Sequence, residues 1–208
     1  MQLRLNNLSC ERDERTLFSG LSAEFSAGEV VQIAGANGAG KTTLLRIICG
    51  LSSFHEGEVT WLGKSSSSYE FRSSVLYLGH APGLNASLTP MENLKWFYGL
   101  CGMQSPAAVE QNLDTLIRNA LANTGMRGYE DVPCRQLSAG QQRRVSLARL
   151  YCSQAPLWVL DEPFTAIDKS GVELLEQRFA EHALNGGIVM LTSHQPLNID
   201  NVRCLDLT

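Results

Sequence analysis

The sequence contains no apolar run near the ~20 residues that a membrane-spanning helix requires. Its longest, such as Gly187-Ile188-Val189-Met190-Leu191, are the size of a strand. The opening residues Met-Gln-Leu-Arg-Leu-Asn-Asn lack the apolar stretch of a secretory signal. A soluble chain that stays where it is made is therefore expected. Basic residues are not in excess: 17 Lys and Arg against 21 Asp and Glu leave a formal charge of −4. That balance disfavours a protein that grips nucleic acid non-specifically. The six cysteines form no CxxC pair, no Cys/His set at metal-ligand spacing and no CxxCH, so a disulfide scaffold, a zinc site and a haem-attachment site find no support. Cys10, Cys49, Cys101, Cys134, Cys152 and Cys204 are expected to be reduced and mostly buried. No internal repeat occurs, which excludes a solenoid.

What is present is ordinary globular composition: 208 residues, 44% hydrophobic and 18% charged. A chain of this length buries roughly 70% of its unfolded surface and needs no covalent staple. It is one large domain, or one domain with an inserted lobe. Leu3 and Leu5, then Leu17, Leu21 and Phe25, predict short antiparallel strands. Val30 to Ala34 predicts a strand, and Lys41 to Cys49 a helix stopped by Gly50. Gly57 to Leu62 and Val75 to Leu78 read as further strands, while Ser65 to Ser68 read as a turn or exposed loop. From about 82 to 155 the texture is helical. Thr89-Pro90-Met91-Glu92 has the form of a capping box. Ser105-Pro106 opens a second helix with Val109, Leu113, Leu116, Ile117, Ala120 and Leu121 on one face, and a third begins near Ser138. Leu157 to Leu160 and Ile188 to Leu191 return to strand, with a helix between them from roughly Ser170 to Ala183.

Three stretches carry chemistry. Gly35-Ala36-Asn37-Gly38-Ala39-Gly40-Lys41-Thr42, followed by Thr43, matches GxxxxGK[ST] between a strand and a helix. Glycines let backbone N–H groups curl around phosphate oxygens, Lys41 reaches the β/γ phosphates, and Thr42 ligates Mg²⁺. Leu157-Trp-Val-Leu160-Asp161-Glu162 is an apolar strand ending in two acids. Alone it says little; beside the phosphate loop it makes Asp161 a Mg²⁺ ligand and Glu162 the group that polarises the attacking water. The third stretch is Leu137-Ser138-Ala139-Gly140-Gln141-Gln142, in which a Ser-capped helix N-terminus can face a phosphate.

This third stretch resembles the LSGGQ signature of ATP-binding-cassette (ABC) ATPases, with Ala139 replacing the first glycine. The resemblance covers essentially the whole chain. It implies an α/β P-loop fold with an antiparallel β subdomain and an inserted helical lobe at about 82–155, in a single ATPase domain spanning 1–208. ATP and Mg²⁺ are the implied cofactors. It also implies that Ser138, Ala139, Gly140 and Gln141 act in trans, closing on ATP held by the phosphate loop of a second copy. Thr165-Ala-Ile-Asp168 is similar to the family's D-loop, and His194 sits at the place of its switch histidine. His55 and His182 are read as surface residues. With a short tail after His194, no regulatory domain is expected.

Two positions depart from the family pattern. Arg12 stands where an aromatic residue usually stacks on adenine; its guanidinium plane can stack on a base, or it is a solvated turn residue. His80 stands at the place of a glutamine that attends Mg²⁺ and the attacking water; it shares that catalytic role, or it packs as a hinge residue. With Gly79-His80-Ala-Pro-Gly-Leu84 and Leu88-Thr-Pro-Met-Glu-Asn-Leu94, these departures resemble the ATP-binding subunit of the bacterial cytochrome c maturation system, the family called the haem exporter. The resemblance implies a homodimer bound to separate membrane-spanning subunits, peripheral on the cytoplasmic face of the inner membrane, with no nucleic-acid partner. The alternatives are the ATPase subunit of an ABC transporter for another substrate and a soluble ABC protein acting on ribosomes or DNA. A GTPase switch is disfavoured, since no NKxD motif occurs.

Overall fold

The computed structural model describes residues 2–12, 15–100 and 110–207. Cys101, the Ser105-Pro106 helix start and Val109 lie outside the described residues. The chain divides into two compact units. One comprises Met1–Tyr77, Ala155–Pro163 and Glu176–Thr208; the other comprises Leu78–Gln154 and Phe164–Leu175.

The first unit holds two sheets. In the four-stranded antiparallel sheet, β1 (Gln2–Arg12) lies between β2 (Arg15–Ser26) and β4 (Glu56–Trp61), and β5 (Lys64–Ser65) adds an edge. The predicted short strands are in fact 11 and 12 residues long. Register shifts after Leu5 and Leu8 explain the discrepancy. Asn7 has φ 48°, and this irregularity resets the inward phase, so Leu3, Leu5, Leu8 and Cys10 are all buried despite broken alternation.

The second sheet runs β6–β7–β8–β3–β9, from Val75–Leu78, Leu157–Leu160, Ile188–Thr192, Val30–Ala34 and Arg203–Asp206. β3 pairs in parallel with both β8 and β9, and β7 pairs in parallel with β8. Both β7 and β8 are buried along their full length, as expected of central strands in a parallel sheet. β9 was not legible as a strand: Arg203, Cys204 and Asp206 are exposed, and the edge has no apolar stripe. Helix α1 (Lys41–Ile48) buries Leu44, Leu45, Ile47 and Ile48. The serine run is more than a loop. Ser68 Oγ accepts from Phe71 N at 3.2 Å and caps α2 (Tyr69–Ser74). The cap delivers Phe71, fully buried, edge-on to Trp61.

The second unit contains α3 (Pro90–Leu100), α4 (Glu110–Asn123), α5 (Ala139–Leu147) and α6 (Arg149–Cys152). The capping box at α3 forms as its sequence predicts: Glu92 N donates to Thr89 Oγ1 and Thr89 N donates to Glu92 Oε2. Leu94, Ile117, Leu121, Met126 and Val145 form this unit's own core. Each such side chain contributes roughly 1.5–3 kcal/mol on burial. Helix α7 (Lys169–Leu184) follows. Cys10, Cys49, Cys134 and Cys152 are free and buried, and Cys204 is free and exposed. Burial pushes the Cys49 and Cys152 thiols up to about 12, which makes them packing residues rather than nucleophiles. Among the described residues, no helix is long and apolar enough to cross a membrane.

Candidate functional site

The loop between β3 and α1 turns on Gly35, Gly38 and Gly40, with φ of 136°, 83° and 96°. At Gly40, the residue preceding α1, a Cβ would lie 3.1 Å from Leu17 Cβ. Both the left-handed backbone and the approach of β2 therefore demand glycine there. Lys41 folds back over the loop, its Nζ donating to Gly35 O at 2.7 Å and to Ala36 O at 3.1 Å. Ala39 N donates to Ala36 O and closes the turn.

At the end of β7, Asp161 is only 2% exposed. Its Oδ1 accepts from Thr42 Oγ1 at 3.1 Å and from Thr192 Oγ1 at 2.9 Å. The Thr192 hydroxyl in turn accepts from Glu162 N at 2.8 Å. Thr192, at the end of β8, thus joins the two acids, a role that sequence reasoning missed. The signal was a polar residue closing an apolar strand just before His194. Glu162 has φ 50°, a conformation costing a residue with a Cβ roughly 1–3 kcal/mol. The turn parts its side chain from that of Asp161 and sets Oε1 3.5 Å from His194 Nε2.

A cleft of about 380 Å³ is lined by Arg12, Leu17, Asn37, Gly38, Gly40, Lys41, Thr42, Thr43, Glu162 and His194. The folded chain therefore gathers the phosphate loop, the acid after the strand, the histidine and Arg12 at one place. Thr42 and Asp161 offer only hydroxyl and carboxylate oxygens, the donor set of a hard divalent cation such as Mg²⁺. Gln32, on β3, also escaped sequence reasoning. Its Nε2 donates to Ser193 O and Gln195 O at 3.3 and 3.2 Å.

His80, Ser138 to Gln141 and Asp168 belong to the second unit. His80 is exposed, on a segment whose backbone is gripped by two buried arginines. Arg143 donates to Gly79 O at 2.7 Å, and Arg149 donates to Gly83 O at 2.6 Å. Ser138 caps α5 in a full capping box: Gln141 N donates to Ser138 Oγ, and Ser138 N donates to Gln141 Oε1. The N–H groups of Ala139 and Gly140 lie in the first turn, where helix geometry gives them no intrahelical acceptor. Arg144 reaches Asp168 at 2.9 Å. The backbone N–H of Gly171, with Arg144 beside it, holds the Asp168 carboxyl below the ordinary aspartate range.

Residues 18–165 match the family model described as ABC transporter. The chain belongs to the ABC transporter family. Within it, the cassette is 55% identical over 204 residues to the cytochrome c biogenesis ATP-binding export protein CcmA of Saccharophagus degradans, covering 98% of this chain and 92% of that protein. It is 51% identical over 210 residues to the protein of the same name in Escherichia coli K12, covering 99% and 96%. Among solved structures, a putative ABC transporter ATP-binding protein of Pyrococcus furiosus superimposes with a TM-score of 0.84 at 25% identity, covering 100% of this chain and 98% of that one. A dimeric ATP-binding cassette in a post-hydrolysis state, bound to ADP and Pi, shares the fold with a TM-score of 0.80 at 22% identity, over 93% and 88% of the chains.

The reading of His182 as a surface residue is corrected by the cassette's structure. Its ring stacks on buried Trp158, with centroids 3.7 Å apart and planes at 7°. Its Nε2 donates to Pro156 O at 3.3 Å. Sequence spacing could not reveal this, because α7 meets β7 only in the folded chain. His55 is exposed, as read.

Proposed function

We propose that this cassette is the ATP-hydrolysing subunit of a membrane complex of cytochrome c biogenesis, where ATP turnover drives haem handling. The observation that carries the reading is the cleft that gathers Lys41, Thr42, Glu162 and His194, in a chain about half identical to export proteins of that pathway over nearly its whole length. Backbone N–H groups of Gly35 to Thr43 cradle the phosphates, and the Lys41 ammonium exchanges loop carbonyls for phosphate oxygens. Arg12 borders the base. Thr42 and Asp161 would hold Mg²⁺, which would supply positive charge to offset that of the phosphates. Glu162 accepts the proton of the attacking water, and His194 reaches the γ-phosphate.

Two copies work together in this reading. Ser138 to Gln141 of one copy close on ATP held by the other, Asp168 serves as the D-loop acid, and His80 fills the place of the family's glutamine. The helical insertion at 82–155 within the single ATPase domain receives separate membrane-spanning subunits, which keep the cassette on the cytoplasmic face of the inner membrane. The test is purification from detergent-solubilised membranes. The cassette is expected to bring cytochrome c maturation membrane subunits with it and to hydrolyse ATP. Lys41→Ala is expected to keep the fold, measured by thermal melting, and to lose ATP turnover. Copurification with a transporter of another substrate sinks the pathway assignment; near wild-type turnover by folded Lys41→Ala sinks the phosphate-loop mechanism.

A further inference from the structure

His194 is 67% exposed at its side chain, so packing does not place it. Something must, if its Nε2 is to meet a phosphate beside Glu162. The turn that carries it is closed internally: Ser193 Oγ donates to Gln195 O at 2.8 Å, and Gln195 N donates to Ser193 Oγ at 3.1 Å. These bonds shape the turn internally. Its start follows Thr192, paired with Ile33, and Asn198 N donates to Glu176 Oε1 farther on; the tie at the residues that flank His194 comes from Gln32. Its backbone is paired on both sides, with Leu191 of β8 and Cys204 of β9. Its side-chain amide donates one N–H to Ser193 O and the other to Gln195 O, the carbonyls that bracket His194. The Ser193 carbonyl shares a rigid peptide plane with the nitrogen and Cα of His194. Holding that oxygen therefore fixes where the Cα of His194 sits, and holding the Gln195 carbonyl as well restricts how the backbone between them, and with it the imidazole, can turn.

We infer that Gln32 is a positioning residue for ATP hydrolysis, which acts by anchoring the His194 turn to the central sheet. The inference rests on the reading of His194 as the group that reaches the γ-phosphate. An amide suits this role, because both carbonyls are acceptors and its single nitrogen carries two N–H donors, one for each. A carboxylate of the same shape would set oxygen against oxygen. The phosphate loop does not depend on these bonds, so the effect falls on the chemical step rather than on ATP binding.

The experiment measures steady-state ATP hydrolysis by the full chain in its membrane complex, with thermal melting as the check on folding. Gln32→Leu fills a similar volume in the strand without a donor, and Gln32→Glu keeps the shape and replaces the donors with an acceptor. Both are expected to lower kcat by roughly ten- to a hundredfold, the scale of a small misplacement in an active site, with KM for ATP nearly unchanged. Combining Gln32→Leu with His194→Ala is expected to be no slower than His194→Ala alone, because the anchor has nothing left to place. Losses that multiply in the double variant overturn the anchor and leave the histidine's role intact. Wild-type kcat in either folded Gln32 variant, or a rise in KM that accounts for the whole loss, also overturns it. Full activity in His194→Ala removes the histidine from the mechanism and takes the anchor with it.

Discussion

Adjacent in the chain, Asp161 and Glu162 face different surroundings because the backbone turns between them. Asp161 ends a buried strand with its carboxylate fixed by two threonine hydroxyls. Glu162, with φ 50°, turns to line the cleft beside His194. If Glu162 is the proton acceptor of the proposed mechanism, Glu162→Gln keeps its shape and removes that acceptor, so ATP and Mg²⁺ are expected still to bind while turnover falls by about 10²–10⁴-fold. Equilibrium nucleotide binding and single-turnover rates measured on the same preparation check this; unchanged turnover refutes it. A second residue-scale prediction concerns Gly187, whose added Cβ would overlap the His182 ring. That ring is held between Trp158 and the Pro156 carbonyl and has little room to yield. Gly187→Ala is expected to cost about 1–3 kcal/mol, the usual penalty of overpacking. Chemical denaturation should show most of the loss restored when His182→Ala is added.

At the scale of elements, the packing of α7 on β7 carries a titratable group. Burial, with the nearby Arg178 charge adding to it, pulls the His182 pKa from 6.5 down to about 4, against an opposing hydrogen bond to Pro156. The folded state therefore refuses a proton that the unfolded chain accepts. Stability from the stack is complete above pH 6.5 and is lost progressively as pH falls towards 4. His182→Phe keeps an aromatic face on Trp158 and removes the titration. Melting temperatures followed from pH 7 to pH 4 are expected to fall less steeply in this variant than in the wild type, and parallel profiles would show that His182 does not contribute. Helix α5 shows a different economy. Its capping box satisfies the N–H groups of Ser138 and Gln141, while Arg143 and Arg144 hold the segment before His80 and Asp168. One helix thus fixes three motifs that lie far apart in the sequence.

For the whole molecule, the prediction is that the catalytic unit is a pair of chains. Ser138→Arg is expected to leave ATP binding at its own phosphate loop intact, yet to suppress hydrolysis, because a bulky cation blocks closure on a partner's γ-phosphate. Mixed with Lys41→Ala chains, it forms dimers in which one composite site has an intact phosphate loop from one copy and an intact signature from the other. Partial ATPase activity in the purified mixed dimer, absent from either variant alone, is the expected result. Full activity of Ser138→Arg by itself would refute action in trans.

The sequence by itself determined the local structure that depends on spacing. Glycine spacing and the adjacent lysine announce the turned loop of one strand–loop–helix unit, over which Lys41 folds back. Capping residues announce α3 and α5 because a cap bonds within its own first turn. An apolar run followed by two acids marks β7 and the end of the strand. Only the tertiary structure decided what depends on contacts between distant segments. Thr192 bridges Asp161 and Glu162, Gln32 holds the turn around His194, and His182 is half-buried, stacked on Trp158. The edge strand β9 and the phase shift at Asn7 were hidden for the same reason. Their burial and pairing are set by neighbouring strands, so no periodicity in their own residues records them.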